Sequence, residues 1–125
     1  MKKIITSSNA PAPIGPYNQA ILVGNILYSS GQIAINPLNG VLIDDSIENE
    51  TKQVMENLKA VLFRADMDFN NVVKCSIFVS DLNNFSKINE VYGSYFDSNF
   101  PARETVEVSA LPKNANVEIS LIAVK

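Results

Sequence analysis

The sequence predicts an α+β fold: one mixed sheet with two helices on one face. Three observations lead there. Apolar residues recur at helical spacing in two stretches, 47–65 and 85–96. Six shorter runs read as strands, by alternation or by continuous β-prone character. Their order is βββαβαββ, and two helices can cover only one face of a sheet.

Lys2 to Thr6 is the first strand. The segment SSNAPAPIGPYN, residues 7–18, holds three prolines and a glycine and reads as a long ordered loop. Gln19 to Val23 and Ile26 to Ser30 flank Gly24-Asn25, the two-residue signature of a tight hairpin. NPLNG, residues 36–40, is a further turn. Asp45 is a candidate N-cap with Glu48 at capping-box spacing. Ile47, Thr51, Val54, Leu58, Val61, Leu62 and Ala65 then form one helical stripe.

Asp66 to Asn71 breaks the pattern. Val72 to Ser80 alternates, with Val73, Cys75, Ile77 and Val79 as the core-facing set. The second helix carries Phe85, Ile88, Tyr92, Tyr95 and Phe96 as an apolar, core-facing stripe, and stops before Asn99-Phe100-Pro101. Thr105 to Ser109 and Val117 to Val124 are the last strands. In the final one, Val117, Ile119, Leu121 and Ala123 suit the helix-covered face. Glu118, Ser120, Ile122 and Val124 start polar and end apolar. A half-apolar outer face on a chain this size calls for another subunit.

At 125 residues the whole chain, 1–125, reads as a single domain. A hydrophobic content of 46% supports a core, and 18% charged residues argues against disorder. The net charge is −3 and no basic stripe follows Lys2-Lys3, which speaks against nucleic acid as a partner. No apolar run approaches the roughly 20 residues of a membrane span. The N-terminus lacks the apolar segment of a signal peptide, and one cysteine makes no internal disulfide. The expected compartment is the cytoplasm. With no histidine and one cysteine, Ser-His-Asp triads, Cys-His dyads and the common zinc and iron–sulfur sites are excluded. Any chemistry must run on Glu, Asp, Arg, Tyr, Ser or the backbone.

Two residues stand out. Arg103, one of only two arginines, follows a Phe-Pro-Ala turn at a strand mouth. Its planar fork suits a carboxylate or phosphate, or else a salt bridge to Glu104 or Glu107. Glu118 is the only charged residue of its strand. It is a general base if burial raises its pKa, or a solvated edge residue if not. Tyr17 packs in the long loop. Ser30 and Gly31 close a strand where the glycine admits a ligand or simply makes a turn. Asn89 lies beside the second helix's stripe, and Cys75 reads as buried core.

Five segments carry a resemblance: APAPIGPYNQA (10–20), LYSSGQIAINPLNG (27–40), IFVSDLNNFSKINEVYGSYF (77–96), FPARETVEV (100–108) and ALPKNANVEISLIAV (110–124). Together they resemble the Rid family, the YjgF-like reactive intermediate deaminases or 2-iminobutanoate/2-iminopropanoate deaminases, nearly end to end. The resemblance implies a chorismate-mutase-like fold and a homotrimer whose sheets form a central barrel. Each of its three clefts is built from two chains. It implies that Arg103 holds the carboxylate of a small 2-imino or 2-keto acid and that Glu118 positions the attacking water. Tyr17, Ser30, Gly31 and Asn89 match pocket positions, and no cofactor or metal is called for. Thr105 stands where many members have cysteine, so no reactive thiol is expected there. Glu104 stands where the pattern often has a small residue, and strand alternation points it away from Arg103. The alternatives are a non-catalytic binder of keto acids and a ribonuclease or translation inhibitor.

Overall fold

Gly24, with φ +58°, makes the two-residue turn that joins β2 (Ala20–Val23) to β3 (Ile26–Ser29), in the register Val23 to Ile26. The positive φ is one that glycine adopts without strain. In the computed structural model, which describes residues 1–125, this hairpin is joined on one side by β1 (Lys2–Ile5) and on the other by β6 (Val117–Val124). Beyond β6 lie β4 (Val72–Val79) and β5 (Ala102–Glu107), so the strand order is β1-β2-β3-β6-β4-β5. Only β4 and β5 run parallel, and the sheet is mixed as expected. Helices α1 (Ile47–Arg64) and α2 (Phe85–Gly93) share one face. No helix is long and apolar enough to cross a membrane.

The core forms where the helical stripe meets one parity of the strands. Val54, Met55, Leu58, Val61 and Leu62 of α1 pack over Ile77, Val79, Val117, Ile119, Leu121 and Ala123. Each of these side chains larger than alanine gains about 1.5–3 kcal/mol from burial. Phe69 closes one end, with ring centroids 5.3 Å from Tyr95 and 5.4 Å from Phe96.

Four local expectations are corrected. The N-cap of α1 is Ser46, whose hydroxyl accepts from the Asn49 amide at 3.1 Å. Asp45 instead accepts from the Asn49 side chain. A bulge between Val72 and Lys74 shifts the start of β4, so Val72 is buried and Val73 is exposed. Strand β5 begins at Ala102 rather than Thr105, because its parallel pairing with β4 starts at Lys74–Ala102. Arg103 therefore sits inside the strand, not ahead of it. Finally, α2 ends at Gly93, and Phe85 at its start is 41% exposed and lies outside the core. There the stripe leaves the core and meets Arg103 at the edge of the sheet.

Two buried polar groups of α1 fix the loops that border the sheet. Asn57 donates to the Ile33 and Ile35 carbonyls at 3.1 and 3.0 Å. The Glu50 carboxylate accepts from the backbone and side-chain amides of Asn116 at 2.7 and 2.8 Å. Both are fully buried and both are satisfied, as buried polar groups must be.

Candidate active site

Glu118 alternates with buried Val117 and Ile119, so β-strand geometry turns it to the face without helices. It is half-buried there, and the chain's one ion pair, Lys74–Glu104, leaves it out. Burial pushes its carboxyl above the usual glutamate range. The carboxylate rests against Gly31. A Cβ there would lie 2.6 Å from its Oε2 and 2.7 Å from its Cδ. Gly31 is thus required for close approach. Gln32 fixes that approach by exchanging backbone hydrogen bonds with Ile119 at 2.8 and 3.1 Å.

A hollow of about 80 Å³ opens beside Glu118, bordered by Ile14, Tyr17, Gly31, Ile33 and Pro112. The proline-rich loop that forms its rim is held by buried Gln19. That side chain accepts from the Ser7 amide at 2.6 Å and donates to the carbonyls of Ser7, Ala10 and Pro11. Tyr17 is half-exposed, and its hydroxyl accepts from the Ile14 amide at 3.3 Å. Ser30 adjoins Gly31, but its hydroxyl is committed to the Asn18 carbonyl at 2.6 Å.

Arg103 lies elsewhere. It pairs in register with buried Cys75 and so faces the helices. Its guanidinium carbon stands 5.0 Å from the Tyr92 ring centroid and 5.5 Å from that of Phe85. With Asn89, Tyr92, Gly93, Phe100 and Pro101 it lines an open hollow of about 340 Å³. Neither proposed salt-bridge partner holds it. Glu104 points to the opposite face, where the Ser76 hydroxyl and the Lys74 ammonium, 2.9 Å away, hold its carboxyl below the usual range. Glu107 accepts from the Leu82 amide at 2.9 Å. Arg103 is a half-buried cation without an anion.

Its surroundings are uncharged. Burial pushes the Tyr92 phenol far above its ordinary pKa, so the ring stays neutral. Its hydroxyl lies beside the Cys75 thiol without a well-aligned hydrogen bond. Burial likewise raises the Cys75 thiol, which is inert core. Thr105, two positions on from Arg103 and on the same face, has a buried hydroxyl with no partner.

The structure therefore gathers the candidates into two groups. Tyr17, Gly31 and Glu118 share one hollow, with Ser30 at its edge. Asn89 and Arg103 share another, with Thr105 further along β5. Within one chain Arg103 and Glu118 are on opposite faces of the sheet and do not meet. The sequence reading missed the supports: Gln19, Glu50, and the two aromatic rings on Arg103. For the rings a signal existed. Phe85 and Tyr92 are seven residues apart, two helical turns, and so share a side of α2.

Comparison with known proteins adds the following. A family model described as Endoribonuclease L-PSP matches residues 7–125. The chain is 49% identical over 125 residues to a RutC family protein of Pyrococcus horikoshii, covering 100% of this chain and 99% of the relative. It is 46% identical over 125 residues to 2-iminobutanoate/2-iminopropanoate deaminase of Bos taurus, covering 100% and 91%. It also superposes on the crystal structure of YyfA from Yersinia pestis, a protein of unknown function of the Rid family. That match has a TM-score of 0.97 at 51% identity and covers 100% of both chains.

Proposed function

The chain belongs to the Rid family, described as Endoribonuclease L-PSP, and from that premise we propose that it hydrolyses small 2-imino acids to 2-keto acids and ammonia. The reading is supported by a pair of unmatched charges. Arg103 is a cation with no anion, and Glu118 is a carboxylate with no cation, raised in pKa and set against a small hollow. Because they occupy opposite faces, the reaction needs two chains. The half-apolar outer face supplies a reason for chains to associate, and the proposed assembly is a homotrimer with clefts between subunits. Arg103 of one chain then faces Glu118 of the next.

In that cleft Arg103 binds the substrate carboxylate through its paired N–H groups. Asn89 borders the same hollow, while Tyr17, Ser30 and Gly31 shape the side that carries Glu118. Thr105 supplies backbone and shape. Glu118 accepts a proton from a water, and the water oxygen bonds to the imine carbon. The C=N π pair moves to nitrogen, which takes that proton from Glu118. Glu118 then carries the carbinolamine hydroxyl proton to nitrogen, the C–N bond breaks, and ammonia leaves as the carbonyl forms. The iminium carbon is already electrophilic, so orientation and one proton acceptor suffice.

The test couples a pyridoxal-phosphate threonine dehydratase to the protein and follows release of 2-oxobutanoate. Wild type should accelerate it, and Arg103→Ala and Glu118→Ala should each lose about 10²-fold or more. A base must be ionised to act, so kcat/KM rises with pH through the Glu118 pKa. Burial places that limb above the ordinary glutamate range, and Glu118→Gln should abolish it. No acceleration by wild type, with keto-acid binding retained, would establish a binder instead.

A further inference from the structure

We propose that Phe85 and Tyr92 are positioning residues that clamp the faces of the Arg103 guanidinium and leave its edge free for a carboxylate. The inference rests on the proposed role of Arg103 and extends it. Both rings lie within the range at which a guanidinium is drawn to an aromatic face, at 5.5 and 5.0 Å. Ring contacts use the flat faces of the group. Its five N–H donors lie in the plane, around the edge. A cation held by rings is oriented without being neutralised and without spending its donors, which a salt bridge would do. The chain's other arginine shows the contrast: Arg64 donates its Nε to the Thr6 carbonyl at 3.2 Å.

Packing within the chain accounts for Tyr92, which lies in the core with its ring centroid 4.9 Å from that of Phe96, but not for Phe85. Phe85 is 41% exposed, an apolar ring kept at the surface where its neighbour is a cation. Tyr92 is buried with its hydroxyl unpartnered, so the ring rather than the oxygen explains its position. The two side chains stand two turns apart on α2, and both rings reach one residue of the edge strand β5, Arg103. Neither touches the reacting atoms in this reading; both act through Arg103.

The experiment measures binding of 2-oxobutanoate and of its amide, 2-oxobutanamide, by calorimetry. Phe85→Leu should weaken the carboxylate about five- to thirty-fold and leave the amide unchanged. Phe85→Tyr and Tyr92→Phe, which keep the rings, should bind as wild type does. Nitrogen-15 NMR gives a readout that needs no ligand. The Arg103 Nε–H resonance should lose the Phe85 part of its ring-current shift in Phe85→Leu while that of Arg64 stays in place. Equal losses for acid and amide, or an unmoved Arg103 resonance, would overturn the clamp. Carboxylate binding that depends on Phe85, without imine turnover, would overturn the deaminase reading and leave the clamp standing. A wild type that binds no carboxylate would remove both.

Discussion

Gly31 is the residue on which the position of Glu118 depends, and the reason is space rather than backbone conformation. Its φ is not in the left-handed region, so an alanine fits the chain there without strain. The atoms that its Cβ would strike are Cγ, Cδ and Oε2 of Glu118, the far end of a flexible side chain. The fold can yield by swinging the carboxylate aside. Gly31→Ala should therefore change stability by less than about 1 kcal/mol. It should cut kcat about 10- to 100-fold, since a displacement near 1 Å from working geometry is that costly. Thermal unfolding and the coupled assay on the same preparation check both halves. Full activity with the fold intact would mean that the Glu118 carboxylate is not used where it stands.

Among the elements, α1 does more than cover the sheet. Glu50, in its first turn, ties the segment before β6 to the helix through Asn116, which also receives the Ser80 amide and hydroxyl at the end of β4. Glu50→Ala should destabilise the fold by about 2–4 kcal/mol, because two bonds to a charged acceptor are lost and the Asn116 donors are left unpaired. Glu50→Gln, which keeps an acceptor oxygen, should lose about half of that. Urea midpoints at fixed protein concentration decide it, and a loss under about 0.5 kcal/mol for alanine would show the tie to be idle. None of this was legible in the sequence. A glutamate in a helix's first turn reads as solvated and favourable to the dipole, and its partner lies 66 positions away. The six strands, both helices and the Gly24-Asn25 turn were legible, because each leaves a local period or a local turn pair. The misplacements have non-local causes. The bulge at Val73 is set by pairing with β6, and the early start of β5 by pairing with β4.

For the whole molecule the outer sheet face decides. Val23, Ile26, Tyr28 and Val106 are all about 36–46% exposed on the side opposite the helices, beside half-buried Ile122 and Val124. Such a patch favours association. The half-apolar β6 pattern already pointed there. What spacing could not show is that Arg103 and Glu118 take opposite faces. That depends on register: Arg103 stands against Cys75, whereas Glu118 stands against Phe78. A strong consequence follows for mixed assemblies. Arg103→Ala and Glu118→Ala chains should each be inactive alone. Co-expressed in equal amounts, they assort at random. A site that draws its arginine from one chain and its glutamate from the next is then intact about one time in four. The mixture should recover about a quarter of wild-type activity. If both groups served from the same chain, every site would carry one lesion or the other and no activity would return. A co-expressed mixture that assembles to the wild-type mass yet stays as inactive as its parents would rule out the two-chain site.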